Sequence, residues 1–186
     1  NTFSESNTVF HNELDLTKTL RSHIAEDVAL WVEKLIDGNS SFANELSDEI
    51  RNQGFELYIT RDLELGKLYA IGRYEGQNEK RFGLIASARD KILPEFGIDN
   101  DFMTTRRFKG GPWFNDSPNS TTSCCALNSV ATEFQCQGLE LDLPIVCWGD
   151  DLLWEDNWKT FSKRSKAKDP HTLRLNSYRV LLSRGR

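Results

Sequence analysis

Three short stretches of this chain put polar or cationic groups at the ends of apolar elements. They are Leu20-Arg21-Ser22, Thr132 through Asp142, and Tyr178 through Arg186. In an open parallel sheet ligands gather at such strand ends, so these edges are where a site is expected. The usual phosphate motifs do not occur in the sequence: there is no G-x-x-x-x-G-K-[ST] and no G-x-G-x-x-G. Gly66-Lys67 is followed by Leu68 and lies inside a helical pattern. Ile145 through Asp151 imitates a Walker B strand, an apolar run ending in acids. Without a lysine loop upstream it reads better as a central strand whose acidic end meets solvent or caps a helix. Neither G-x-S-x-G nor H-E-x-x-H occurs. His11, His23 and His171 have no ligand spacing, so no metal site is expected.

The elements that must carry these edges alternate between helix and strand. Phe10 to Thr17 alternates apolar and polar, as a strand does. From Ser22 the period changes, and Ile24, Val28, Trp31, Val32, Leu35 and Ile36 fall on one helical face that Gly38 terminates. Phe42, Leu46 and Ile50 mark a second helix, and Phe55 to Ile59 a short strand. Thr60 is placed to cap a helix carrying Leu63, Leu65, Leu68 and Ile71. Phe82 to Ala86 is a fully apolar strand, and a helix is expected from Ala88 to Phe96. The Gly/Pro/Asn/Ser-rich residues 110–120 read as loop, with Trp113 and Phe114 packing on something. Asn128 to Phe134 and Pro144 to Trp148 are further strand candidates, and Leu173 to Ser183 fits an amphipathic helix. Arg106-Arg107-Phe108-Lys109 reads as a charged edge strand or a phosphate contact. Lys159 to Lys168 reads as a solvated basic loop. The pattern is α/β with a mainly parallel sheet between helices, residues 1–186 forming one domain.

Composition narrows the function. Of 186 residues, 23 are Lys or Arg and 28 Asp or Glu, a net charge of −5, which argues against a protein that coats nucleic acid. Hydrophobic residues at 38%, charged residues at 27% and a mean hydropathy of −0.53 exclude disordered and fibrous classes. No apolar run approaches the ~20 residues a membrane span needs, so no membrane partner is expected. The start, Asn1-Thr2-Phe3-Ser4-Glu5, is no signal peptide and lacks an initiator Met, which suggests a piece of something longer. Cys124, Cys125, Cys136 and Cys147 form no C-x-x-C pair and read as buried reduced thiols in a cytoplasmic protein.

Taken in order, the three stretches resemble the second RecA-like lobe of superfamily-1 helicases. Leu20-Arg21-Ser22 resembles the "N-Y-R-S" element, motif IV. Thr132 through Asp142 resembles motif V, "T-x-H-x-x-K/Q-G-L-E-F-D", with Gln137-Gly138-Leu139-Glu140-Leu141-Asp142 nearly verbatim. Tyr178 through Arg184 resembles motif VI, "Y-V-A-L-T-R-A-R". More narrowly, through residues 137–142 together with Asn176-Ser177-Tyr178 and on to Arg186, the chain is similar to the bacterial domain of unknown function that matches the helicase part of Schlafen proteins. The resemblance implies a three-layer RecA-like lobe without its own P-loop, running from motif IV to motif VI. It implies ATP and Mg²⁺ in the full-length parent, with none held by this chain alone. The partners it implies are an N-terminal P-loop lobe of the same parent and single-stranded DNA or RNA.

The resemblance also assigns residues. Arg21 and Arg184 match arginines that bring positive charge to the γ-phosphate, a role the guanidinium suits because it is always charged, planar and bidentate. Gly138 would let backbone approach the nucleotide, beside Gln137, and Glu140 matches a carboxylate near the ribose. Thr132 matches a residue that donates a hydrogen bond to the nucleic-acid backbone. Phe134 stands where the family usually has His, and a Phe there could stack on a base. Two other functions fit the same residues: an NTPase switch that does not unwind, and a non-catalytic module whose arginines contact RNA phosphates.

Overall fold

A computed structural model describes residues 23–160 and 168–185 of the chain. The Phe10–Thr17 strand expectation, Arg21, Arg186 and most of the basic run lie outside the described residues.

Helix α1 (His23–Ile36) forms as its periodicity dictates. Val28, Val32 and Ile36, spaced by four, are its fully buried face, and Glu26 and Lys34 lie at the ends where the helix dipole favours them. Gly38, at φ +83, turns the chain out of the helix. Helix α2 (Ser40–Asn52) starts where the Asn39 side chain accepts from the Phe42 amide, and it packs on α1 through Ala43, Leu46 and Ile50. Helix α3 (Leu63–Arg73) is capped by Asp62, whose carboxylate accepts from the Leu65 amide at 3.1 Å. Thr60, the expected cap, lies one step outside, and its hydroxyl accepts from the Asp62 amide. The expected strand at Phe55–Ile59 is irregular instead, with Ile59 wholly exposed.

The sheet is short and parallel. Strand β1 (Phe82–Ala86) lies between β2 (Val130–Thr132) and β3 (Leu143–Cys147), parallel to both. All five residues of β1 are buried, the signature of a strand covered on both faces. The Ile145–Asp151 strand was expected at the centre. Its strand part belongs to β3, an edge of the described sheet that is half buried except at Cys147. The expected helix at Ala88–Phe96 is a turn followed by a single 3-10 turn, Leu93–Phe96, ended by Gly97. Residues 110–120 are not all loop. After the short α4 (Phe102–Thr105), Gly110–Asn115 forms α5, which buries Trp113 to 2% exposure. Trp113 and Cys124 fill the space over Gly83, where even one added carbon would meet them at 2.9 Å. Arg106 to Lys109 form no strand.

A two-stranded hairpin, β4 (Leu153–Trp154) and β5 (Trp158–Lys159), precedes helix α6 (Pro170–Leu182). Tyr178 and Leu181 on α6 are fully buried, while Leu173 is exposed. All four cysteines are free and buried. Burial pushes the Cys136 thiol up to about 11 and that of Cys147 up to about 12, so both stay protonated and inert. Among the described residues, no helix is long and apolar enough to cross a membrane.

Candidate functional site

The strand register builds the site. Ala86 pairs with Thr132 on one side and Cys147 on the other, so the chain leaves all three strands at one edge. The next residues there are Ser87 and Glu133, with Asp151 four positions beyond β3. Each is buried although polar. Arg174 of α6 reaches over all three. Its Nη1 donates to Ser87 Oγ at 2.6 Å and lies 3.7 Å from Glu133 Oε1, and its Nε lies 3.0 Å from Asp151 Oδ2.

Further hydrogen bonds satisfy both carboxylates of the cluster. Ser87 Oγ donates to Asp151 Oδ2 at 2.6 Å, and Tyr178 donates its hydroxyl to Asp151 Oδ1 at 2.6 Å. Glu133 accepts from the Ala88 amide at 2.7 Å and from Ser177 Oγ at 3.0 Å. Burial and the Asp151 charge hold the Tyr178 hydroxyl protonated, as its donor role requires. One arginine thus ties α6 to the ends of β1, β2 and β3.

Asp90 stands beside this clamp and is less well provided. It is 1% exposed; its Oδ1 accepts from the Ile92 amide, while its Oδ2 has no hydrogen-bond partner among the described residues. Its carboxyl group rests on Gly149, where an added Cβ would overlap all three carboxyl atoms. Burial first, then the charges of Asp151 and Asp150, raise its pKa above the ordinary carboxylate value.

The segments that resemble motifs V and VI meet instead beside the start of β3, at the opposite end of the sheet from the clamp. Arg184 donates from Nε to Val180 O at 3.0 Å, from Nη1 to Cys136 O and Leu139 O at 3.4 and 3.2 Å, and from Nη2 to Ser183 Oγ at 2.9 Å. The Leu141 amide donates to Arg184 O at 2.8 Å, and Leu141 bridges Gly185. The structure therefore brings Gln137, Gly138, Glu140 and Arg184 together as one turn-and-anchor unit. Gln137 is exposed, and Gly138, at φ +78 with open space where a side chain would project, forms the outer face of the turn. Glu140 is half-buried.

Thr132 is 2% exposed, and its amide and hydroxyl both donate to Gln135 Oε1, at 2.8 and 3.0 Å. Gln135 in turn donates to Thr105 O at 2.8 Å. Two residues on, Phe134 is 68% exposed. Of the two nucleic-acid candidates, Phe134 is the one whose side chain faces solvent.

Sequence reasoning missed Arg174, Glu133 and Ser87. A signal was present: Arg174, Tyr178 and Leu181 are spaced by four and three, which puts a cation on the helix's buried stripe. A charge there requires buried counter-charges. Asp151 was noticed, but its acidic strand end was expected in solvent or at a helix cap; it is buried and ion-paired instead.

The architecture is mixed α/β on a parallel sheet, with several of its buried polar groups where the strands end. A family model described as Schlafen group 3, DNA/RNA helicase domain, matches residues 1–186, and the chain belongs to that family. No curated protein and no solved structure matches it.

Proposed function

We propose that this domain is the C-terminal, RecA-like lobe of an ATP-dependent DNA/RNA helicase-like motor. The observation that carries the reading is the joining of the two motif segments: Arg184 holds the Cys136–Leu141 turn by two carbonyls and a backbone bridge. Hydrolysis needs positive charge and close backbone approach at the phosphates, and this unit offers an arginine beside an open glycine turn. A P-loop lobe of the same protein would hold the nucleotide and Mg²⁺. Gln137, Gly138 and Glu140 would then close over it from this side, with Arg21 and Arg184 as the cations. Exposed Phe134 would stack on a base of a single strand, with Thr132 shaping the backbone beneath it rather than reaching out.

Arg184 carries a cost in this scheme. Its guanidinium is held by carbonyls within the lobe, so delivering it to phosphate means exchanging those bonds on lobe closure. The test is kinetic, in the full-length protein. Arg184→Ala should lower kcat by ~10³, the scale of an arginine finger. It should also cost about 1–3 kcal/mol of stability through the carbonyls it leaves unpaired. Unchanged turnover per folded molecule would reduce Arg184 to an anchor of the turn.

A further inference from the structure

A cavity of about 510 Å³ opens between the end of α1, the β4–β5 hairpin and the start of α6, away from the strand-end clamp. Asp37, Gly38, Trp154, Asp156, Trp158 and His171 are among its walls. Its size is that of a small-ligand site. Two indoles form a corner: the Trp154 and Trp158 centroids are 5.1 Å apart, with ring planes at 74°. The corner is fixed rather than adaptable. Trp158 donates its ring N–H to Leu35 O at 2.9 Å, and Trp154 abuts Gly38, where a Cβ would come within 3.2 Å of the ring. Trp154 remains 42% exposed, so its ring is available to a ligand.

Among the described residues the walls carry the carboxylates of Asp37 and Asp156, and the first turn of α6, which brings His171 here, is already capped by the Asp169 carboxylate. The C-terminus of α1 points its dipole's negative end here. Arg179, the cation near the rim, is already paired with Asp37 at 2.6 Å, and Lys159 with Glu155. Asp156 has no hydrogen-bond or ion-pair partner among the described residues. A phosphate would meet two carboxylates, the C-terminus of α1 and an α6 N-terminus whose amides the Asp169 carboxylate already occupies. A cation would meet the exposed Trp154 ring, one unpaired carboxylate and the negative end of the α1 dipole.

We infer that this cavity is a binding site for an organic cation, an ammonium or guanidinium group bounded by apolar carbon. The group could come from a free small molecule or from a side chain of a partner polypeptide. A stack of rings leads inward from it, Trp158 on Trp148 at 5.5 Å and Trp148 on Tyr178 at 4.0 Å, and Tyr178 is bonded to Asp151 of the clamp. An occupant would therefore sit at the outer end of a packed path to the strand ends.

The test is a titration of the 186-residue chain at constant ionic strength, read by indole ¹⁵N–¹H NMR shifts. Choline, N-acetyl-arginine amide, an arginine-containing peptide and the uncharged choline isostere 3,3-dimethylbutan-1-ol are compared. The Trp154 and Trp158 signals should shift saturably with a cation, with Kd of about 1 mM for the isolated group. The peptide binding tenfold or more tightly than the free cations would assign the group to a partner protein, and equal affinity would assign it to a small molecule. Asp156→Asn, a surface change that leaves the fold intact, should weaken binding about threefold, and Trp154→Ala about tenfold. Equal binding of the uncharged isostere, or adenosine monophosphate shifting the same signals where choline does not, would overturn the inference.

Discussion

Arg174 carries more of this domain's internal electrostatics than any other described side chain, because it is the buried counter-charge to both Glu133 and Asp151. Removing one partner of such a set leaves charges stranded away from water. Arg174→Met is therefore expected to cost about 3–5 kcal/mol in denaturant unfolding. The triple change with Glu133→Gln and Asp151→Asn should regain much of that. A loss under about 1 kcal/mol for the single change would mean that the clamp is solvated and does not hold the strand ends. Asp90 predicts the opposite sign. Its folded-state pKa lies above its unfolded value, so its favourable contribution is complete at acid pH and is lost as pH rises through the folded value. Asp90→Asn keeps an acceptor for the Ile92 amide and cannot ionise. Its thermal midpoint should exceed the wild type's at pH 7, and the two should converge as pH falls toward 4. A variant less stable than wild type at both pH values would show that the charged carboxylate is the favoured state. Neither residue stood out in the sequence, since an isolated charge in a helix and a lone Asp after a strand are far more often solvated.

The elements meet through contacts that no single segment announces. Gly149, after β3, accommodates the Asp90 carboxyl group that follows β1, and an added methyl would overlap it. Gly149→Ala is expected to cost about 1–3 kcal/mol, the usual scale of overpacking. Made together with Asp90→Ala, which clears the space, the cost should fall well below the sum of the two. Strict additivity would mean that the contact is relieved elsewhere. Such a pairing of residues 59 positions apart is invisible to local pattern, whereas α1, α2 and α6 were legible from the spacing of their apolar residues and β1 from its unbroken apolar run. The misread elements failed for physical reasons. Phe55 to Ile59 has strand-forming residues but pairs with no described strand, and propensity without a partner makes no sheet. Residues 110–120 have loop composition, yet burial of Trp113 holds Gly110–Asn115 helical. On α3, Leu65, Leu68 and Ile71 have core spacing but are exposed, since an apolar face reads the same whether or not this chain covers it.

At the scale of the whole molecule, motif order was the most informative sequence signal. The family match over residues 1–186 agrees with the Schlafen helicase resemblance read from residues 137–142 and 176–186. Motif order could not show that Thr132 faces inward while Phe134 faces out, because side-chain direction depends on the turn that Gln135 stabilises. The central claim is that this lobe completes a nucleotide site whose P-loop it does not carry, and that nucleic acid drives the closure. Steady-state ATP hydrolysis tests it most directly, measured on the 186-residue chain and on the full-length protein, each with and without a single-stranded oligonucleotide. The account expects no turnover from the chain alone and oligonucleotide-stimulated turnover from the full-length protein. Hydrolysis by the chain alone, or a full-length protein that hydrolyses nothing under either condition, would contradict it.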